Sequence, residues 1–275
     1  MPFGEMTAYA FESAGGSDIE AALPAAAAVE FTACAAAVLD DLQDLDPIPS
    51  INPDDPGAGA ELVALLMSLA NHAMSGLDGK VVDASRAVSA QQRLARFELS
   101  ALAGQHRANR LDMAQNPSLE AATEATSAKS GTFGRLAAEV GAALATPDEE
   151  LISIHGEVGY HLAVAAQFQN DVSAIWPRGS EGTDIELGRS TPPLIFALEV
   201  PDGVNQAADQ VKDALGHRSE SGERDEERIR EALFRSGAVH YAWIVAAVHR
   251  AKAASAARRC KEANPVSRIA DLLVV

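Results

Sequence analysis

Val38-Leu39-Asp40-Asp41-Leu42-Gln43-Asp44-Leu45-Asp46-Pro47 decides how the rest of the chain is read. The stretch closes a long alanine-rich helix that starts near Ser17, and it loads the last turn of that helix with carboxylates. Asp40 and Asp44, four residues apart, share a helix face, and Asp41 stands about 100° round from Asp40. Acids at a helix C-terminus oppose the macrodipole and repel one another. A hard divalent cation offsets that cost, and Mg²⁺ is the candidate: it takes one or two carboxylates plus phosphate oxygens and keeps several waters. The competing reading is an acidic helix end in water.

Working outward, the 275 residues show no interior break, so one domain over residues 1–275 is expected. Hydrophobic residues make up 47% of the chain but aromatics only 5%. Small side chains at that density favour closely packed helices over sheets. The net charge of −17 leaves no basic stripe, which argues against a nucleic-acid partner and against an anionic membrane surface. The two cysteines, Cys34 and Cys260, give no disulfide framework and fit a reducing cytoplasm. Residues 1–16 lack the basic start of a signal peptide. Ala21–Leu39 approaches membrane-spanning length, but Pro24, Glu30 and its alanines mark a buried core helix, so no membrane insertion is expected. The seven histidines show no pairing with cysteine or acids at zinc spacing, and no glycine-rich strand–helix turn supports a dinucleotide site.

Apolar spacing predicts helices throughout. The first lies within residues 1–16, and the second runs from the capping-box pattern Ser17-Asp18-Ile19-Glu20 to Pro47. Others follow at Glu61–Leu77, Val81–Asp112 (with Gly104 as the point of interruption), Ser118–Leu144 and from Pro147 to about Ile175. The last four are Asp184–Val200, broken at Pro192-Pro193, then Asn205–Leu215, Asp225–Phe234 and Ala238–Lys261. Nothing alternates with a period of two. The chain is expected to be all-α.

Four separated segments resemble the isoprenyl diphosphate synthases. Asp40-Asp41-Leu42-Gln43-Asp44 matches their first aspartate-rich motif, Asp-Asp-x-x-Asp. Lys129-Ser130-Gly131 resembles their Lys-Thr-Gly, and Gln167-Phe168-Gln169-Asn170-Asp171 occupies the place of their second motif, Phe-Gln-x-x-Asp-Asp-x-x-Asp. Asp184-Ile185-Glu186-Leu187-Gly188-Arg189-Ser190-Thr191-Pro192-Pro193-Leu194 is similar to their Asp-x-x-x-Gly-Lys-x-Thr-x-Pro segment, and the Ser236-Gly237-Ala238 turn also fits. The resemblance implies a single-domain antiparallel helix bundle around a central cavity, the isoprenoid synthase or class I terpenoid synthase fold, usually homodimeric. It implies Mg²⁺ held by Asp40, Asp41 and Asp44, with Asn170 and Asp171 on the facing helix. It assigns contacts with substrate diphosphate to Lys129, Gln167, Arg178 and Arg189. Thr32, Ala35 and Ala36, above the aspartates, would line the chain pocket with Phe133 and Phe168. Small residues there leave room for a long chain such as geranylgeranyl; ordinary alanine packing is the alternative. Phe133, Tyr160, Phe168 and Trp176 are candidate aromatic stabilisers of a cation, with core packing as the other account of each.

The departures from the family matter as much. From Met1 to Gly79 there is no Lys or Arg, against 13 Asp and Glu. The family's Gly-Lys-Arg-x-Arg-Pro segment is absent, its most N-terminal helix is expected to be lacking, and Ile48-Pro49-Ser50-Ile51-Asn52-Pro53 stands where Arg-Arg-Gly should follow the first motif. A second diphosphate placed there without cations would carry several kcal/mol of desolvation. The second motif is reduced as well, with Ala166 for its Phe and Ala174 for its last Asp. One allylic site without an acceptor site points to a Mg²⁺-dependent terpene synthase that ionises farnesyl or geranylgeranyl diphosphate and cyclises or rearranges the cation. The alternatives are a prenyl diphosphate synthase or prenyltransferase that joins the allylic group to an acceptor, and an inactive regulatory subunit of such a synthase.

Overall fold

A computed structural model describes residues 2–44, 48, 51, 57–77, 82–112, 118–176, 191–216 and 226–263, with side chains except at 43–44, 100–112, 216 and 261–263. Among the described residues there are ten α-helices and no strand. They are α1 (Phe3–Ser13), α2 (Leu23–Asp44), α3 (Ala58–Ser75), α4 (Ala84–Asp112), α5 (Leu119–Ala145), α6 (Glu149–Ile175), α7 (Pro192–Glu199), α8 (Gln206–Gly216), α9 (Glu226–Ser236) and α10 (Ala238–Ala263).

Three of the helix starts that differ from the sequence expectation do so for a local reason. Asp18, not Ser17, is the cap before α2: its carboxylate accepts the Glu20 N–H at 3.1 Å, and a 3₁₀ turn over Ile19–Ala22 comes first. The α-helix proper begins at Leu23 because Pro24, in its first turn, has no N–H to lose and carries the right φ. Likewise Asp148 caps α6, accepting the N–H groups of Glu150 and Leu151 at 3.0 and 3.2 Å, which leaves Pro147 outside the helix. Pro192-Pro193 opens α7, since both rings sit at its first positions, and the expected helical stretch from Asp184 to Ser190 lies outside the described residues. The interruption expected at Gly104 is absent: α4 runs through it unbroken. A single glycine costs about 1 kcal/mol in a helix, too little to break one of this length.

Backbone contacts sort the chain into two compact units. The first comprises residues up to Ala103, Phe133–Tyr160 and the chain from Ala253. Here small residues set the interhelical distances. A β-carbon on Gly141 of α5 would fall 2.0 Å from the Thr7 carbonyl oxygen of α1, and one on Gly159 of α6 would fall 2.2 Å from the Gly134 carbonyl oxygen of α5. Ala10, Ala22, Ala25, Ala28 and Val29 are fully enclosed. Ile19–Leu42 is long and apolar enough, by length and composition, to cross a membrane. Glu30 within it accepts the Gly4 N–H at 2.7 Å, so its carboxylate sits at the positive end of α1. Two buried polar side chains complete this core. The His155 Nδ1–H donates to the Leu151 carbonyl at 2.8 Å, and its Nε2 accepts the Ser13 hydroxyl at 3.0 Å.

The second unit comprises Gly104–Thr132 and His161–Lys252. Its core is built on Phe168, Ile229, Leu233 and Val211, all fully buried. Helices α8 and α9 pack on one another, and α9 turns into α10 at Gly237, whose φ of +94° suits a residue without a β-carbon. Asn205 caps α8 through Oδ1 and ties it to α9 by donating from Nδ2 to the Ser236 carbonyl at 3.0 Å.

Candidate functional site

The acidic turn belongs to the first unit. Asp40 and Asp41 are both partly exposed at the end of α2, and no basic residue in that last turn neutralises them. Leu42 fixes the turn: its side chain rests on Gly59 at the start of α3, where a β-carbon would lie 2.4 Å from a Leu42 methyl. Asp44 is the last residue of α2, and its side chain lies outside the described residues. Two adjacent carboxylates, partly exposed and with no basic residue in their own last turn, are a fitting donor set for a hard divalent ion that completes its shell with phosphate and water.

Above this turn, Thr32 and Ala35 are buried and Ala36 half-buried. Thr32 donates its hydroxyl to the Ala28 carbonyl at 3.0 Å and lies 3.4 Å from Oε1 of Glu98 on α4. Burial pushes the Glu98 carboxyl up, and the Thr32 contact opposes the shift. Phe133 belongs to an aromatic cluster, its ring 4.5 Å from that of Phe97 and 5.4 Å from that of Phe3. Tyr160 lies under the Arg135 guanidinium, 5.4 Å from its ring centroid. Two arginines of α4 are engaged in structure: Arg86 donates to the Ala145 carbonyl at 2.9 Å, and Arg93 bridges Glu139 and Glu149 at 3.5 and 2.6 Å.

The remaining predicted residues lie in the second unit or outside the described chain. Gln167 stands in the middle of a hydrogen-bonded chain between α5 and α6. The Ser130 hydroxyl donates to its Oε1 at 2.9 Å, and its Nε2 donates to Oδ1 of buried Asp171 at 2.8 Å. The side-chain amide thus fixes the orientation of the one acid retained in the second motif. Lys129 and Asn170 are exposed, Phe168 is fully enclosed and Trp176 is partly exposed. Arg178 and Arg189 lie outside the described residues. The sequence reading placed Ser130 in a motif but not its contact with Gln167, 37 residues away, and it missed Glu98 altogether. The spacing of four between Gln167 and Asp171 was visible and carries the helical contact.

No protein-family model matches the chain and no curated protein does. Solved structures do. The polyprenyl synthetase from Streptomyces coelicolor A3(2) superposes with a TM-score of 0.79 at 23% identity, over 98% of this chain and 83% of that one. The geranylgeranyl pyrophosphate synthase from Corynebacterium glutamicum complexed with isoprenyl diphosphate and magnesium gives 0.75 at 18% identity, over 99% and 85%. The polyprenyl synthase from Caulobacter crescentus CB15 complexed with calcium and isoprenyl diphosphate gives 0.73 at 22%, over 99% and 83%. The chain therefore has the all-α fold of the polyprenyl and geranylgeranyl diphosphate synthases.

Proposed function

We propose that this protein is a Mg²⁺-dependent enzyme of the isoprenyl diphosphate synthase family that breaks the carbon–oxygen bond of an allylic diphosphate and joins the prenyl group to an acceptor. The observation that carries this reading is the complete Asp40-Asp41-Leu42-Gln43-Asp44 motif at the exposed end of α2, in a fold shared over nearly the whole chain with prenyl-forming synthases. Two of those neighbours hold isoprenyl diphosphate with magnesium or calcium. Bound at Asp40, Asp41 and Asp44, Mg²⁺ would supply neutralisation of the departing diphosphate. The chain's own residues do the rest. Lys129, Arg178 and Arg189 offer cations to the phosphate oxygens, and Arg189, in place of the family's Lys, makes bidentate contacts. Gln167 keeps the Asp171 carboxylate in one orientation, so that no reorganisation is needed as charge develops. The working unit is residues 1–275 as one domain, as a cytoplasmic homodimer.

Cyclisation or rearrangement of the cation by a terpene synthase is the second reading, and one observation favours it. No Lys or Arg precedes Lys80, and Arg86 and Arg93 of the first unit are held in structural contacts. A diphosphate acceptor then lacks cations at the positions where the family places them. The neighbours are named as synthases, which puts transfer ahead of cyclisation. Product analysis separates the two. Purified protein with Mg²⁺ is incubated with geranyl, farnesyl or geranylgeranyl diphosphate, with and without isopentenyl diphosphate. A longer diphosphate supports the synthase, and hydrocarbon or alcohol formed without the acceptor supports the cyclase. Absence of turnover with every substrate overturns both and leaves the regulatory subunit.

A further inference from the structure

His161 on α6 and His249 on α10, both in the second unit, bring their Nδ1 atoms to 3.1 Å, with ring centroids 4.9 Å apart and planes at 77°. Neither residue has a role in the prenyl chemistry above, and both rings are partly exposed. Without a metal, one Nδ1–H donates to the other Nδ1. Two imidazole nitrogens at this separation also match two ligands on one ion. With metal–nitrogen bonds of about 2.0–2.1 Å, a 3.1 Å gap corresponds to an angle of roughly 100° at the metal. That lies between the octahedral and tetrahedral values, and each ring must turn until its lone pair points about 40° off the line joining the two nitrogens. Burial, reinforced by the neighbouring His161 and Lys252, holds His249 down to about 4, so its ring is neutral at physiological pH. The Lys252 charge opposes a hard cation held by electrostatics alone, and imidazole selects late first-row ions over Mg²⁺.

We propose that His161 and His249 form a two-imidazole site for a divalent late transition ion, Ni²⁺, Cu²⁺ or Zn²⁺, which clasps α6 to α10. Among the described residues no group of three or more His, Cys, Asp or Glu is placed to hold a metal, so the proposed protein ligands are these two imidazoles. On binding, the ring that carried its proton on Nδ1 shifts it to Nε2, and no proton is released. The site is independent of the acidic turn and of the substrate. The experiment titrates Ni²⁺ into the metal-free full-length protein by calorimetry, with excess Mg²⁺ present to occupy the carboxylates. One ion per chain is expected, with affinity at least tenfold weaker in His161→Gln and in His249→Gln and unchanged in Asp40→Asn. Because a glutamine variant can alter packing, Cu²⁺ electron paramagnetic resonance gives the second readout: two coordinated imidazole nitrogens in the wild type and one in each variant. Absent binding to the wild type, unchanged affinity in both glutamine variants, or a Cu²⁺ spectrum without imidazole nitrogen overturns the site.

Discussion

Asp40 and Asp41 are placed where a carboxylate weakens the helix that carries it, with no basic side chain in the last turn of α2 to offset them. Stability and function therefore pull apart at these two positions. Asp40→Asn is expected to lower steady-state turnover of an allylic diphosphate at least about 100-fold, the usual scale for removing one group that stabilises developing charge. A charge opposing the dipole goes with it, which offsets any stability lost by about 0.3–1 kcal/mol. Parallel activity and thermal-melt measurements check this, and a loss below tenfold would remove Asp40 from the machinery. Gln167 behaves in the opposite way. Gln167→Leu takes from the Ser130 hydroxyl its acceptor and from Asp171 Oδ1 its amide donor. Ser130 is half-buried and can turn to water, but taking a hydrogen bond from buried Asp171 costs about 1–3 kcal/mol, at about 2–4 °C per kcal/mol in a chain of this size class. The double variant Gln167→Leu/Asp171→Leu is expected to lose less stability than the sum of the singles, since each change removes the same hydrogen bond. Additive losses would show that the bond contributes nothing.

At the scale of elements, the helices stand as close as they do because glycine lies at their contacts. Gly141→Ala is the sharpest test: its methyl would meet the Thr7 carbonyl oxygen, a backbone atom that cannot rotate away, so α1 and α5 must move apart. The overpacking cost is about 1–3 kcal/mol, read as a drop in urea midpoint, although alanine is the better helix former. A midpoint at or above wild type would mean that α1 shifts freely. Much of this arrangement was legible in the chain. The 3.6-residue spacing located every described helix, and the acid-loaded turn was visible because Asp40, Asp41 and Asp44 are local in sequence. Helix starts were less legible, because Ser17 and Asp18 are both good caps and only the backbone path selects Asp18. Contacts between helices were not legible at all. Ser130 meets Gln167 across 37 residues and His161 meets His249 across 88, and no periodicity carries information over such separations.

For the molecule as a whole, the net charge of −17 draws attention to acids, yet histidines govern its response to mild acid. His155 is held below its ordinary value by burial, against the opposing hydrogen bond to Leu151, and His249 is pushed down to about 4 by burial and by the charges of His161 and Lys252. Unfolded histidine takes its proton near 6.5. Between that value and the lower folded values, the unfolded chain binds protons that the native protein refuses, so stability rises with pH across this window and is lost as pH falls through it. Glu98 and Glu139 work in the other direction. Burial raises both carboxyls above 4.5, so the native state binds protons first, and lowering the pH toward 4.5 relieves the cost of keeping them ionised. The histidine effect begins at the higher pH and sets the sign there. In the presence of a chelator, so that no ion bridges His161 and His249, the urea midpoint is expected to fall from pH 7.5 to pH 5.5. The fall should be smaller in His249→Gln, which has no proton to take up in either state. A wild-type midpoint that is level or rises over that interval would mean that relief of the buried carboxyls outweighs both histidines. An equal fall in the variant would move the proton uptake away from His249.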